Sequence, residues 1–372
     1  MKVLQVLPAL NSGGVEKGTL EIADALVSQG HVSWVLSAGG RLVSPLCENG
    51  TQHKAWDIGR KSPLTLLQIP KVRRWLQAEK FDIIHLRSRM PAWIIWQAWK
   101  HMPLASRPRL ISTVHGLHSV SKYSEIVTCG ERVIVVSETC KAYVLQNYPK
   151  TDINKIRLIY RGIDPALFPW QFQPSEQWKE SFLKQFPTLR DRPIITLPGR
   201  LTRLKGHHDL VEIFKNIQAR HPQARALIVG GEDPKRKTYA KALYQKVEAE
   251  GLTEQIIFAG HQTDMKEIYA ISTAVLSLSS KPESFGRTVL EALSLGTPVL
   301  GYAHGGVGEI LARLYPYGAC EKGNLNAVAA KLDALLESKS IERPIKNETF
   351  LLSAMQEQTL QLYHELLAEN LS

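Results

Sequence analysis

The sequence predicts an α/β protein made of two Rossmann-like domains, each a parallel sheet wound with helices on both faces. Three observations predict it. Short apolar runs rich in Val, Ile and Leu alternate with helical stretches along the whole chain. Several of those runs, such as Ile83-Ile84 and residues 133–136, are continuously apolar rather than alternating, as a strand buried on both faces requires. The rhythm breaks once, between residues 165 and 193, where Pro165, Pro169, Pro174, Pro187 and Pro193 punctuate a polar and aromatic stretch. The length of 372 residues fits two domains at roughly 100–200 residues each.

The elements follow in order. Residues 3–7 read as a buried strand and 11–18 as a glycine-bearing turn. Residues 15–28 read as a helix, with Val15, Leu20, Ile22, Ala23, Leu26 and Val27 near a 3.6-residue period and Gly30 just past its end. Strands are expected at 32–36, 82–86, 110–114 and 133–136, with helices between them and after Ser137. The second half repeats the scheme with strands at 194–197, 226–229, 256–258, 275–278 and 299–301. Residues 350–371 read as a final amphipathic helix. The expected domains are 1–165, a linker at 166–192, 193–348, and a C-terminal segment 349–372 packing back on the first domain. Two such sheets imply a cleft between their carboxyl edges, and open α/β sheets bind ligands outside those edges.

Composition narrows the function. Hydrophobic residues at 44% and charged residues at 22% describe an ordinary globular chain. The apolar stretch at 90–99 is far shorter than the roughly 20 residues a bilayer requires, and the N-terminus does not read as a signal peptide. Four scattered cysteines, with no C-x-x-C, argue against a disulfide framework or a zinc site and fit the cytosol. The net charge of +11 is placed unevenly: residues 1–165 hold +10 and residues 166–372 hold +1. The first domain is therefore expected to meet something anionic, a solvated basic face being the alternative.

Chemistry is sought in the turns after strands. The turn Asn11-Ser12-Gly13-Gly14-Val15-Glu16-Lys17-Gly18 lets backbone N–H groups approach an oxyanion at a helix mouth, but it is not G-x-G-x-x-G, and a plain turn reads equally well. After strand 194–197 comes Pro198-Gly199-Arg200-Leu201-Thr202-Arg203-Leu204-Lys205-Gly206, where cations beside glycines suit a diphosphate. The sharpest string is Lys281-Pro282-Glu283-Ser284-Phe285-Gly286-Arg287-Thr288-Val289-Leu290-Glu291-Ala292. A helix is expected to open around Ser284, which would put Glu283 at its mouth and Glu291 two turns on, near one face. A carboxylate there can accept two hydroxyl hydrogen bonds from a diol such as a ribose. Helix capping and a surface acid are the plainer alternative.

That string, with Gly296-x-Pro298-Val299 and Gly305-Gly306 after it, resembles the E-x7-E region of retaining GT-B glycosyltransferases, family 4 in particular. Gly13-Gly14, His115-Gly116, Gly199-Arg200, Lys205-Gly206 and Gly230-Gly231 follow the same order, so the resemblance spans about residues 1–310. It implies a GT-B architecture of two facing domains. It implies a nucleotide-sugar donor, a UDP-sugar above all, held by the C-terminal domain. The acceptor, a glycan or glycolipid, is held by the N-terminal domain, and transfer retains configuration without a metal or cofactor. By the resemblance, Arg200 and Lys205 neutralise the donor diphosphate and Glu291 binds the ribose. Glu283 contacts the donor sugar hydroxyls, with Ser284, Phe285, Gly286 and Arg287 alongside. Gly13 and Gly14 lie near the phosphate and His115 near the donor sugar and reaction centre. His115 reads equally well as a core histidine. The family often has Asn-Gly-(Val/Ile)-Asp where this chain has Arg161-Gly162-Ile163-Asp164, and an aliphatic residue where it has Arg287.

The basic first half carries Lys61, Lys71, Arg73 and Arg74 among leucines, and Trp93, Trp96 and Trp99 just after Arg87-Ser88-Arg89. Cations with Trp suit an anionic lipid surface, so peripheral contact with the inner membrane from the cytoplasmic side is expected; helical spacing makes the tryptophans core residues on the plainer reading. Arg87, Arg89 and Arg161 are the candidate ligands of an anionic acceptor, such as a phosphorylated lipopolysaccharide core. Two alternatives stand beside this reading. One is another GT-B enzyme, such as a nucleotide-sugar epimerase. The other is a basic nucleic-acid-binding protein, for which no zinc finger, heptad or aromatic RNA-binding string is present, so no nucleic acid is expected.

Overall fold

The computed structural model describes residues 1–11, 13–233, 237–337 and 342–369. It falls into two compact units, Met1–Gly162 with the segment Leu352–Ser372, and Ile163–Leu351.

The first unit runs β1 (Lys2–Val6), α1 (Gly14–Ser28), β2 (Val32–Ser37), α2 (Val43–Glu48), β3 (Gln52–Ala55), α3 (Pro63–Leu66), α4 (Ile69–Glu79), β4 (Ile83–Leu86), α5 (Arg89–Lys100), β5 (Arg109–Val114), β6 (Arg132–Val135), α6 (Glu138–Asn147) and β7 (Ile156–Leu158). Its seven strands are parallel in the order β3-β2-β1-β4-β5-β6-β7. The second unit runs α7 (Glu176–Gln185), β8 (Ile194–Pro198), α8 (His207–Ile217), β9 (Arg225–Val229), α9 (Lys237–Ala249), β10 (Ile256–Gly260), α10 (Met265–Ile271), β11 (Ala274–Ser277), α11 (Arg287–Ser294), β12 (Val299–Tyr302), α12 (Gly305–Leu314), β13 (Ala319–Cys320) and α13 (Leu325–Leu336). Its six parallel strands take the same order, β10-β9-β8-β11-β12-β13. The last helix, α14 (Leu352–Ala368), belongs to the first unit.

Each sheet reverses its order once, between β1 and β4 and between β8 and β11. The loops leaving the carboxyl ends of those strands splay to opposite sides there, which opens a crevice for a ligand. Val3, Ile83, Ile111 and Ile134 of the first sheet are buried against Ile22 and Leu26 of α1 and against Met355, Leu360, Leu362, Tyr363 and Leu366 of α14. That spacing in α14 is one apolar helical stripe, and the sheet face is what it covers.

Two expectations are corrected. Residues 166–192 are not a linker in the second unit but part of its body. Ser175 caps α7 through Trp178 N, and Trp178 and Phe182 stack at 4.9 Å and pack with Leu189, Ile194 and Leu227. Pro165 lies in a turn before the helix and Pro187 opens a short 3-10 helix after it, both within the second unit. Three strands were also not foreseen, β3, β7 and β13, and all three are sheet edges.

Candidate functional site

In the second unit the reversal point is built from two loops. The first leaves β8 at Pro198 and ends at Gly206, which precedes α8 in a left-handed conformation at φ 75°. A Cβ on Gly206 would stand 2.1 Å from the Leu278 carbonyl oxygen, so only glycine lets the loop after β11 come this close. Ser280 N donates to Leu204 O at 2.9 Å, tying the two loops together. The side chains they carry therefore meet. Lys205 Nζ lies 2.7 Å from Glu283 Oε1, and Ser279 Oγ donates to the same oxygen at 2.5 Å. His304, entering α12, holds Ser279 through a 2.8 Å contact between its Nε2 and the Ser279 carbonyl.

The ion pair is half-buried, with the Lys205 and Glu283 side chains 30% and 26% exposed, so a ligand can reach both. Burial pushes the Glu283 carboxyl up, but the Lys205 charge, hydrogen bonds from Lys205 and Ser279 and the nearby His304 outweigh it, and the net shift is down. Arg200 stands exposed on the same loop, without a partner among the described residues.

The helix after this loop starts later than its sequence suggested. It opens at Arg287, because Gly286 sits at φ 107°, a conformation no helix accepts. Glu283 is thus outside the helix, not on a shared helical face with Glu291. Its backbone forms a bridge with Gly305, and Gly306 N donates to Glu283 O at 2.9 Å. Ser284 and Gly286 complete this loop, and Phe285 turns its ring into the core against Phe350, 5.9 Å away edge to face. Glu291 lies buried in α11, where Arg287 Nε donates to its Oε1 at 3.1 Å. Arg287 is therefore committed to Glu291 within its own helix. Tyr269 of α10 sits against Glu291; burial first, then that carboxylate, hold its phenol well above the usual range.

The reversal point of the first unit carries a different set. Gly13 precedes α1 at φ 143°, and Gly14 is the first helical residue. Glu16 of the first turn lies so close that its Oε2 would be 2.7 Å from a Cβ on Gly13. Burial raises the Glu16 carboxyl, with the backbone and Arg161 opposing. Arg87 follows β4 and is 4% exposed, and two of its guanidine nitrogens, Nε and Nη2, have no hydrogen-bond partner. Arg89 begins α5 and is held by Ser124 Oγ at 3.1 Å and by the face of Tyr123. His115, in the loop after β5, meets Arg161, whose Nη2 lies 2.5 Å from its Nδ1. Burial, then Arg161, Arg87, His85 and His118, hold the His115 imidazole well below its usual range. The structure thus gathers Arg87, His115 and Arg161 in one pocket of this unit, lined also by Gly18, His85 and Thr113, with Arg89 outside it.

Ser279, His304 and Tyr269 were not singled out from the sequence. His304 had a signal: it follows a strand run and precedes the double glycine Gly305-Gly306. Ser279 shared part of that signal, lying two residues past β11; Tyr269 had none, since only packing sets it against Glu291.

Residues 12–167 match the family described as Glycosyltransferase Family 4, and residues 179–349 the family described as Glycosyl transferases group 1. The chain is 24% identical over 348 residues to N-acetyl-alpha-D-glucosaminyl L-malate synthase of Bacillus anthracis, covering 90% of this chain and 87% of that one. It superposes on a glycosyltransferase from Rickettsia africae with a TM-score of 0.87 at 29% identity, covering 99% of both chains. Its fold is also that of Anabaena HepE, solved with UDP and glucose, at a TM-score of 0.78 and 19% identity over 98% of this chain and 100% of that one. Two matched halves, two parallel sheets of one order and these relatives together make the chain a GT-B glycosyltransferase of the family 4 type, an enzyme that uses a nucleotide-sugar donor.

Proposed function

We propose that the second unit binds a UDP-sugar and that the sugar passes, with retained configuration and without a metal, to an anionic glycan or glycolipid bound by the first unit. One observation carries the reading. Lys205, Glu283 and the exposed Arg200 lie on two stitched loops at the carboxyl ends of β8 and β11, where such sheets bind nucleotides. Arg200 and Lys205 meet the charge that builds on the departing diphosphate, the largest electrostatic demand of the reaction. Glu291 takes the ribose hydroxyls and Glu283 those of the sugar. The UDP of the Anabaena neighbour supports uracil as the base.

The acceptor reading rests on the basic first unit. Arg87 and Arg161 are buried guanidinium groups, and a buried cation recruits an anion. Lipopolysaccharide or a related surface glycan has that chemistry. Leu64 and Leu67 are 72% and 75% exposed beside Lys61, Lys71, Arg73 and Arg74, which suits peripheral contact with the cytoplasmic face of an anionic membrane. Among the described residues no helix is long and apolar enough to cross one.

The test is calorimetric titration of UDP, GDP, ADP and their hexose and hexosamine conjugates into wild type and Glu291→Ala. Selective UDP binding is expected, unchanged by EDTA and weakened about 10- to 100-fold in the variant, the worth of a hydrogen bond to a charged group. Binding of none of them overturns the donor assignment.

A further inference from the structure

Arg161 follows β7 in a loop, yet it is 7% exposed. Its guanidinium fits beneath α1: a Cβ on Gly18 would stand 2.1 Å from Nη1, so glycine at that position is what leaves the space. From there Nη2 reaches His115 Nδ1 at 2.5 Å. A guanidinium has five N–H donors and no acceptor. The proton in this contact is therefore Arg161's, and Nδ1 supplies the lone pair. An imidazole that accepts at Nδ1 is not the imidazolium, which donates from both nitrogens, so its one proton sits on Nε2.

We propose that Arg161 is a positioning residue that holds His115 as the neutral Nε2–H tautomer, so that His115 serves as a hydrogen-bond donor and not as a proton-abstracting base. The reading rests on the proposed function only for what that N–H addresses, a sugar or phosphate oxygen. Every charged or titratable neighbour on the packed elements agrees. Arg161 comes from the loop after β7, Arg87 and His85 from β4 and its end, and His118 from the loop after β5. All disfavour a second proton, and burial most of all. The acids of α1 face the cations instead, Glu16 toward Arg161 and Glu21 toward Arg87.

The test uses the full chain labelled with 15N-histidine, read by long-range proton–nitrogen correlation, with the His115 signals assigned by His115→Gln. The expected wild-type pattern is the Nε2–H tautomer, unchanged from about pH 5 to 8, where an ordinary histidine titrates. Arg161→Lys, still donor-only, keeps that pattern. Arg161→Met, with no donor, gives a mixture of tautomers. Gly18→Ala perturbs the pattern in the wild-type background and has no effect in Arg161→Met. An Nδ1–H tautomer or an imidazolium in the wild type overturns the proposal, and so does an Arg161→Met spectrum identical to wild type at His115. Nucleotide titration into the other unit does not sense this tautomer, so the two readings fail separately.

Discussion

Lys205 and Glu283 stand 78 positions apart in sequence and neutralise one another in space. Each is then available to a ligand that offers a diphosphate to one and hydroxyls to the other. The pair also makes a stability statement. The folded Glu283 carboxyl has a lowered pKa, so its stabilisation is present above the unfolded value of about 4.3 and is lost as pH falls through the folded value. Glu283→Gln is expected to cost about 1–3 kcal/mol near neutrality, because Lys205 and Ser279 lose a charged partner. Urea unfolding between about pH 3 and 7 should show the gap between wild type and variant closing on the acid side. A gap independent of pH would show that the carboxylate's charge is not what stabilises.

At the scale of elements, the site depends on how closely the loop after β8 approaches the loop after β11. Gly206 permits that approach by having a left-handed backbone and no side chain. Gly206→Ala combines strain of about 1 kcal/mol with a clash against Leu278 O, and should lower the melting temperature and weaken UDP binding together. Gly251→Ala is the control. Its φ of 66° is equally left-handed, but nothing lies within 4 Å of the added Cβ, so it should cost the strain alone and leave UDP affinity intact. Equal losses in the two variants would refute the role given to the close approach. The same scale explains α11: Gly286 ends the loop, and the helix begins at Arg287, where φ becomes helical, four residues after Glu283.

At the scale of the whole molecule, the chain returns to its first unit at the end. Helix α14 closes the sheet of β1 to β7 with Met355, Leu360, Leu362, Tyr363 and Leu366, and the Tyr363 hydroxyl contacts His85 Nδ1 at 2.6 Å. Deleting residues from 352 onward strips that face and should selectively lower the melting of the first unit. Arg200, Lys205, Glu283 and Glu291, the residues proposed to hold the diphosphate, ribose and sugar, lie in the second unit, so UDP should still raise the melting temperature of the remaining transition. Scanning calorimetry separates the two cases. Loss of both transitions at once would show that the units do not fold independently.

The interior of both sheets and the strings that carry the site are legible in the order of residues. Central parallel strands are buried on both faces, so the local run of residues announces them. The glycine, cation and acid strings follow those strands directly, and so could be found by looking just past each one. The edge strands β3, β7 and β13 were beyond such reading, although β10, an edge with the apolar run Ile256-Ile257-Phe258, was not. Gln52–Ala55 has no apolar run, since an edge strand is defined by the neighbour it pairs with rather than by its own composition. Only the folded chain shows that residues 166–192 belong to the second core and that the helix after Glu283 waits until Arg287 to open. It alone decided the partnerships Lys205–Glu283 and Arg161–His115 as well. Those contacts join loops from non-adjacent stretches of chain, and the order of strands in a sheet, which no local period records, is what brings the loops together.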